Sequence, residues 1–275
     1  MFDKDYTDVD IIIGALKKEF EGRRKNGLYS LFQTVFAYHS NHIEGSNLTE
    51  NQTAFLFDTG TLGGENVYYR VKDIEEAHGH FLMFDHMLKS FDEPLSEKMI
   101  KSFHYCLKAG VFEDKLNGYA IGEYKTLINR VGTITTAHPD EVPYLMELLI
   151  SGYMNQKFQK KQYKDILRFH VEFEKIHPFQ DGNGRVGRII MFRECLKNDL
   201  FPIIIRDIDS MEYKHAVGIA QTENDISALQ NITEKSIMAL KEEVKPYIDN
   251  YRDNLELIID HIPERTGSEK EMEGR

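Results

Sequence analysis

His177-Pro178-Phe179-Gln180-Asp181-Gly182-Asn183-Gly184-Arg185-Val186-Gly187-Arg188 is the stretch from which the rest of the chain can be read. It brings together one histidine, one carboxylate, three glycines and two arginines three positions apart. Glycines carry no Cβ, so the backbone there can approach a ligand and turn its N–H groups toward it. N–H groups that lead into the positive end of a helix form an anion site. The following residues, Val186 to Leu196, read as that helix, with Arg185 and Arg188 projecting from its first turn. Guanidinium groups prefer bidentate contact with phosphate oxygens, so the pair suits a polyphosphate.

Working outward, Ile166, Leu167, His170, Phe173 and Ile176 recur at helical spacing just before the loop. Phe169, Val171 and Phe173 also alternate as in a strand, but the longer window favours helix. Helical patterns occupy Val9 to Phe20, Leu28 to His39, Val71 to Leu88, Met99 to Leu107 and Val142 to Leu149. Thr49-Glu50-Asn51-Gln52 has capping-box spacing, and Gly45 and Gly60 read as helix stops. Between Gly118 and Pro139 the β-branched residues Ile128, Val131, Thr133, Ile134, Thr135 and Thr136 surround Gly132, which predicts a hairpin. Beyond the loop come an apolar Ile203-Ile204-Ile205 and helices starting near Ser210 and Asp225. The fold class expected is mainly α: one domain over 1–263 with a small hairpin, C-terminal helices at about 210–262, and a disordered tail over 264–275.

The 275 residues have 41% hydrophobic content, enough for an ordinary core. A formal net charge of −11 argues against an extended nucleic-acid footprint. Cys106 and Cys195 fall in apolar helical contexts and imply buried thiols in a reducing compartment. The N-terminus lacks a signal-peptide pattern, and no run of ~18 apolar residues is present. The expectation is a soluble cytoplasmic protein with neither a membrane nor a nucleic-acid partner.

Gly182-Asn183-Gly184-Arg185-Val186-Gly187 satisfies the dinucleotide pattern G-x-G-x-x-G, but that reading needs a preceding strand, and the flanks are helical. His170, Glu172, Glu174 and His177 lack the spacing of a helical zinc site, and His170 reads as a packed or capping histidine. Taken alone, His177 would be a histidine at a helix end; its neighbours overturn that reading.

The loop resembles the Fic-domain signature, H-P-F-x-D/E-G-N-G-R-x-x-R, and matches every specified position. Gly122-Glu123-Tyr124-Lys125 and Val131-Gly132 lie where that family has its β-hairpin flap, here about 119–137, with Lys125 where many relatives carry arginine. The resemblance implies a Fic-type helical bundle that transfers AMP from ATP to a Ser, Thr or Tyr hydroxyl of a target protein or of itself. His177 would be the general base. Asp181 would hold Mg²⁺, with Mn²⁺ as a substitute. Gly182, Asn183 and Gly184 would form the anion hole, and Arg185 and Arg188 would grip the β- and γ-phosphates. The flap, including Val131 and Gly132, would pin the target as an added strand. By family position Tyr213 would line the adenine pocket. A homodimer is a further partner the resemblance allows, dimers being common among relatives.

Ser40-Asn41-His42-Ile43-Glu44-Gly45 resembles the inhibitory motif S/T-x-x-x-E-G/N of the same family, here upstream on a helix at about 28–45 (class II). In that arrangement Glu44 pairs with Arg188 where the γ-phosphate would sit. An anion at a helix C-terminus is disfavoured by the dipole, so Glu44 should have a partner. Other readings on the same scaffold are transfer of another nucleotide, removal of AMP, or a non-catalytic ATP sensor.

Overall fold

Helical periodicity in the N-terminal third becomes α1 (Asp8–Glu21), α2 (Leu28–Ile43) and α3 (Glu50–Thr59). The computed structural model describes residues 6–63, 68–131, 134–155 and 160–263. Thr49 caps α3 with Gln52 completing the box, as its spacing predicts, and Gly60 closes the helix at φ 71°. Then follow α4 (Val71–Lys89), α5 (Glu97–Lys108) and α6 (Phe112–Leu116), a short helix that periodicity does not separate from the approach to the hairpin. After the hairpin come α7 (Val142–Met154), α8 (Tyr163–Ile176), α9 (Asn183–Lys197), α10 (Ser210–Glu223) and α11 (Ser227–Asp253). The alternation at Phe169, Val171 and Phe173 is therefore helical: all three are buried on α8, which packs against α7, α9, α10 and α11.

Where a hairpin over 119–137 was expected, the paired segment is much shorter. β1 (Arg130–Val131) runs antiparallel to β2 (Ile134–Thr135), with Arg130 opposite Thr135 and Val131 opposite Ile134. Gly132 lies outside the described residues, and of Val131 only the backbone is described. From Tyr119 to Asn129 the chain is turn and coil. The tail at 264–275 also falls outside the described residues.

What positions the site is α9. Val186, Ile189, Ile190, Met191, Phe192, Cys195 and Leu196 are all at most 1% exposed, so the helix is buried on every side. Phe192 packs among Phe32, Phe36 and Phe84, with ring centroids 5.4, 5.3 and 5.5 Å away. Helices α2, α4, α5 and α8 surround this rod. Gly79 lets α4 and α5 touch: a Cβ there would fall inside the Leu107 carbonyl. Cys195 is buried as expected, whereas Cys106 is only partly covered. Among the described residues no helix is long and apolar enough to cross a membrane.

Candidate active site

The loop between α8 and α9 is held by its own side chains. Helix α8 ends on His177 in the left-handed region (φ 54°), which turns the chain sharply into Pro178. Asn183 Oδ1 accepts from the Phe179 N–H at 2.8 Å, and its Nδ2 donates to the Phe179 carbonyl at 2.9 Å. Its side chain therefore closes the loop, which leaves only its backbone for an anion. Gly182 sits at φ 84° as the N-cap of α9, a conformation that favours glycine. Phe179 stacks on His104 at 3.9 Å between centroids and 1° between planes. His104 Nδ1 accepts from the Gly122 N–H (2.9 Å), so its Nε2 carries the proton and donates to the Asp181 carbonyl (3.0 Å). One imidazole thus ties the loop to the segment leading into the hairpin. Lys125 also joins the two, its ammonium donating to Asn129 Oδ1 (2.8 Å), Thr136 Oγ1 (2.7 Å) and the Ile176 carbonyl (3.3 Å). With only neutral oxygens around it, burial lowers its pKa to about 8.

His177 Nδ1 lies 3.3 Å from the Glu174 carbonyl oxygen, which fixes the proton on Nδ1 and leaves the Nε2 lone pair free. Burial lowers its pKa to about 4, so the imidazole is neutral at pH 7. Glu174 Oε2 lies 3.8 Å from the same Nδ1. Burial first, and the nearby Glu44 charge second, raise the Glu174 pKa to about 8.

Asp181 is surrounded by cations. Its Oδ2 lies 2.8 Å from Lys108 Nζ and 3.8 Å from Lys72 Nζ, and its Oδ1 lies 3.4 Å from Arg185. Burial opposes ionisation, yet Arg185 and Lys108 together hold the carboxyl well below the usual carboxylate range. The buried Lys108 ammonium also contacts Glu76 (2.6 Å) and Asp114 (2.7 Å). Among the described residues no group of three or more His, Cys, Asp or Glu could hold a metal. An ionised carboxylate with 35% of its side chain exposed nevertheless fits Mg²⁺, which is commonly bound through one or two carboxylates and the substrate's phosphates.

The two arginines part company. Arg185 turns to Glu76 (2.7 Å) and Asp181, whereas Arg188 donates from Nε to Ser40 Oγ (3.0 Å) and from Nη2 to the Ser40 carbonyl (2.9 Å) and Glu44 Oε1 (2.7 Å). The expectation that both project together into one seat is thus corrected: carboxylates on α4 and in the loop draw Arg185 away. Glu44 stands at the C-cap of α2, 144 residues from Arg188 in the chain. Desolvation opposes ionisation of Glu44, yet Arg188 and Arg185 lower its pKa. Gly184 makes room for it, because a Cβ there would clash with Glu44 Oε1 and lie 2.9 Å from Arg188 Nη1.

Tyr213 is 3% exposed, and its hydroxyl lies 2.5 Å from His170 Nε2, so His170 is a buried, packed histidine. Glu44, Glu174, His177, Asp181, Gly182, Asn183, Gly184, Arg188 and Tyr213 all line one cavity of about 610 Å³, together with Arg130, Lys214, Gly218 and Gln221. Ser40 and Arg185 are not among the residues that line it. Sequence reasoning missed Glu174, Lys108, Glu76 and His104 as members of the site. Only Glu174 left a usable signal, lying i, i+3 from His177 on one helix; the others reach the loop from α4 and α5, where no local pattern marks them.

Residues 94–195 match the family model described as Fic/DOC family. Over 69 residues the chain is 41% identical to a probable protein adenylyltransferase of Aquifex aeolicus (strain VF5), covering 25% of this chain and 21% of that protein. Over 238 residues it is 26% identical to the protein adenylyltransferase Fic of Drosophila willistoni, covering 82% of this chain and 44% of that one. The chain thus spans less than half the length of these curated relatives. A Fic domain containing signaling protein from Bacteroides thetaiotaomicron VPI-5482 superposes with a TM-score of 0.64 at 22% identity, covering 93% of this chain and 96% of that one. Fic-1 from C. elegans does so with a TM-score of 0.64 at 18% identity, covering 90% and 73%; at these identities the likeness is one of fold. The helical fold is similar to that of these Fic-domain structures, and the segment that matches the family model contains the loop at 177–188.

Proposed function

We propose that the chain is a protein adenylyltransferase, moving AMP from ATP to a Ser, Thr or Tyr hydroxyl of a target protein, and that Glu44 holds it inhibited. The observation that carries this reading is the single cavity in which a neutral imidazole, an ionised carboxylate, a glycine-rich helix start and an arginine come together.

In the reaction, the target hydroxyl oxygen attacks the α-phosphorus, the bond to the α–β bridging oxygen breaks, and diphosphate leaves. His177 Nε2 takes the hydroxyl proton while Nδ1–H stays anchored on the Glu174 carbonyl. Asp181 would hold Mg²⁺, which when bound neutralises developing charge on the phosphate oxygens. Backbone N–H groups of Asn183 and Gly184 at the start of α9 receive phosphate oxygens, joined by the Gly182 N–H where it exchanges its present bond to Asp181 Oδ1 (2.7 Å) for a phosphate oxygen. Arg188 grips the γ-phosphate once Glu44 leaves. Arg185, bound to Glu76 and Asp181, keeps the loop charged and ordered from behind. Tyr213, Gly218 and Gln221 on α10 line the far wall, where the adenine fits. Residues about 119–137, with β1 and β2, act as the flap on which an extended target segment adds a strand.

The inhibited reading rests on the 2.7 Å pair between Glu44 and Arg188 and on the Ser40 contacts that aim the guanidinium at it. Incubating the Glu44→Gly protein with ATP and Mg²⁺ in a cell lysate, followed by mass spectrometry, tests both parts. AMP adducts should rise over wild type and vanish on adding His177→Ala. Labelling that survives the loss of His177 would sink the mechanism, and equal labelling with and without Glu44 would sink the inhibition.

A further inference from the structure

The last turns of α2 meet two different partners. Ser40 and Glu44, one turn apart, face α9 and hold Arg188 through Ser40 Oγ, the Ser40 carbonyl and Glu44 Oε1. Tyr38 and His39 turn instead to Asp207, in the short turn that opens α10. Tyr38 Oη donates to Asp207 Oδ2 at 3.0 Å, and His39 Nδ1 lies 2.9 Å from Asp207 Oδ1. Arg206 can only donate, and its Nη1 is 2.8 Å from His39 Nε2, so the imidazole proton sits on Nδ1 and is given to Asp207. His42 Nε2 is 3.9 Å from Asp207 Oδ2. One carboxylate thus gathers three side chains of the helix that carries Glu44. On the same side, Lys214 of α10 donates to the Ile43 carbonyl at 2.6 Å, a cation on one of the carbonyls that a helix end leaves without a partner. Arg206 ties the segment onward to Glu243 on α11.

Neither Tyr38, His39 nor Asp207 lines the cavity. What their bonds fix is the place of the α2 end above it. Arg188 is held by Ser40 as well as by Glu44, so a Glu44 side chain swinging out alone would leave the guanidinium still engaged by the helix. Freeing Arg188 entirely requires the whole turn to move, and that turn is fastened to Asp207.

Resting on the reading in which Glu44 inhibits, we propose that Asp207 is a positioning residue that clasps the end of α2 over the cavity, and that the inhibitory contact opens when this clasp is released, the helix end moving as a unit. The closed state is then stabilised from two sides, by Arg188 and by Asp207. The Asp207 side chain is 21% exposed and that of Arg188 only 2%, so the clasp is the side open to solvent.

A double-mutant cycle on the whole chain tests this without turnover, by calorimetric titration with α,β-methylene-ATP and Mg²⁺ at neutral pH. Asp207→Ala should tighten binding roughly tenfold, equivalent to about 1.4 kcal/mol and near the low end for hydrogen bonds to a charged group. Tyr38→Phe keeps the ring and the fold, removes one bond, and should tighten binding roughly threefold. In the Glu44→Gly background neither substitution should change the affinity, because no inhibitory contact remains to be clasped. Residues that merely support the fold would weaken binding, or act equally in both backgrounds. Unchanged or weaker binding by Tyr38→Phe in the chain that retains Glu44 would overturn the proposal, as would equal changes with and without Glu44. Hydrogen exchange in the nucleotide-free protein gives a second readout: the amides of Glu44, Gly45 and Ser46, bonded to carbonyls of the last turn, should exchange faster in both variants. Faster exchange without tighter binding would mean that Glu44 opens alone, against the proposal. Should Glu44→Gly itself fail to tighten binding, the inhibition falls and the clasp with it; should it tighten binding while Asp207→Ala and Tyr38→Phe do not, only the clasp falls.

Discussion

Replacing Glu44 by glutamine keeps the length of the side chain and removes its charge, and the consequences can be sized from the contacts of Arg188. The Glu44 Oε1–Arg188 Nη2 bond is 2.7 Å long, and the guanidinium side is only 2% exposed. A hydrogen bond between charged groups contributes about 1.5–3 kcal/mol. Arg188 keeps Ser40 Oγ and the Ser40 carbonyl at 3.0 and 2.9 Å, so its charge is not stranded. A loss of about 2 kcal/mol follows, near the lower half of that range. For a chain of this size each kcal/mol moves Tm by about 2–4 °C, so the nucleotide-free Tm should fall by roughly 4–8 °C. The same 2 kcal/mol no longer has to be overcome when ATP takes the seat, which corresponds to roughly thirtyfold tighter ATP binding. The two effects have opposite signs and can be read in one assay, differential scanning calorimetry with and without ATP and Mg²⁺. Glu44→Gln should melt lower alone and gain more from the nucleotide than wild type does. An unchanged nucleotide-free Tm with an unchanged response to ATP would mean that the pair neither stabilises the fold nor competes with phosphate, and the argument would fail.

Gly184→Ala tests the same seat from the other side. Its Cβ displaces Glu44 and crowds Arg188, yet it also fills the place meant for phosphate, so the variant should lose the ion pair without gaining AMP transfer; activation equal to that of Glu44→Gly would refute it. Acid stability follows from the buried histidines. His177 titrates at about 4, and His80, His104 and His170 at about 3, against roughly 6.5 in the unfolded chain. Each binds its proton only when unfolded across that window, so stability is full above about pH 6.5 and is lost as pH falls toward 4 and below. Urea midpoints that stay flat from pH 7 to 4.5 would contradict these assignments.

Much of the fold was legible because it rests on local patterns. The boxes and stops around α3 and the periodicities of α2, α4 and α8 each report on a few adjacent residues. The β-branched residues around Gly132 mark the short pair Arg130–Val131 and Ile134–Thr135, whereas the rest of the 119–137 segment is coil held by His104 from outside it and by its own Lys125. Within the site, His177, Asp181 and Arg188 were found because they share one loop, and Glu44 because its motif resembles a known one. Lys108, Glu76 and His104 were not, because a bond such as Lys108 to Asp181 spans 73 residues and depends on how α4 and α5 pack, which no window of sequence displays. The contact of Arg185 with Glu76 was hidden for the same reason, Glu76 lying on α4.

Helix α9 is buried on every side, and this has a consequence for how such a protein can change over time. On the proposed function its first turn would seat the phosphates, so a fully buried helix and the chemistry would share the same residues. Substitution there disturbs core and site together. The elements that would decide when the seat is open and what is laid beside it, the end of α2 and the short β1–β2 pair, lie at the margin of that rod. They are free to diversify, so a lineage could alter its trigger or its target many times over while the apparatus for handling phosphate stands still.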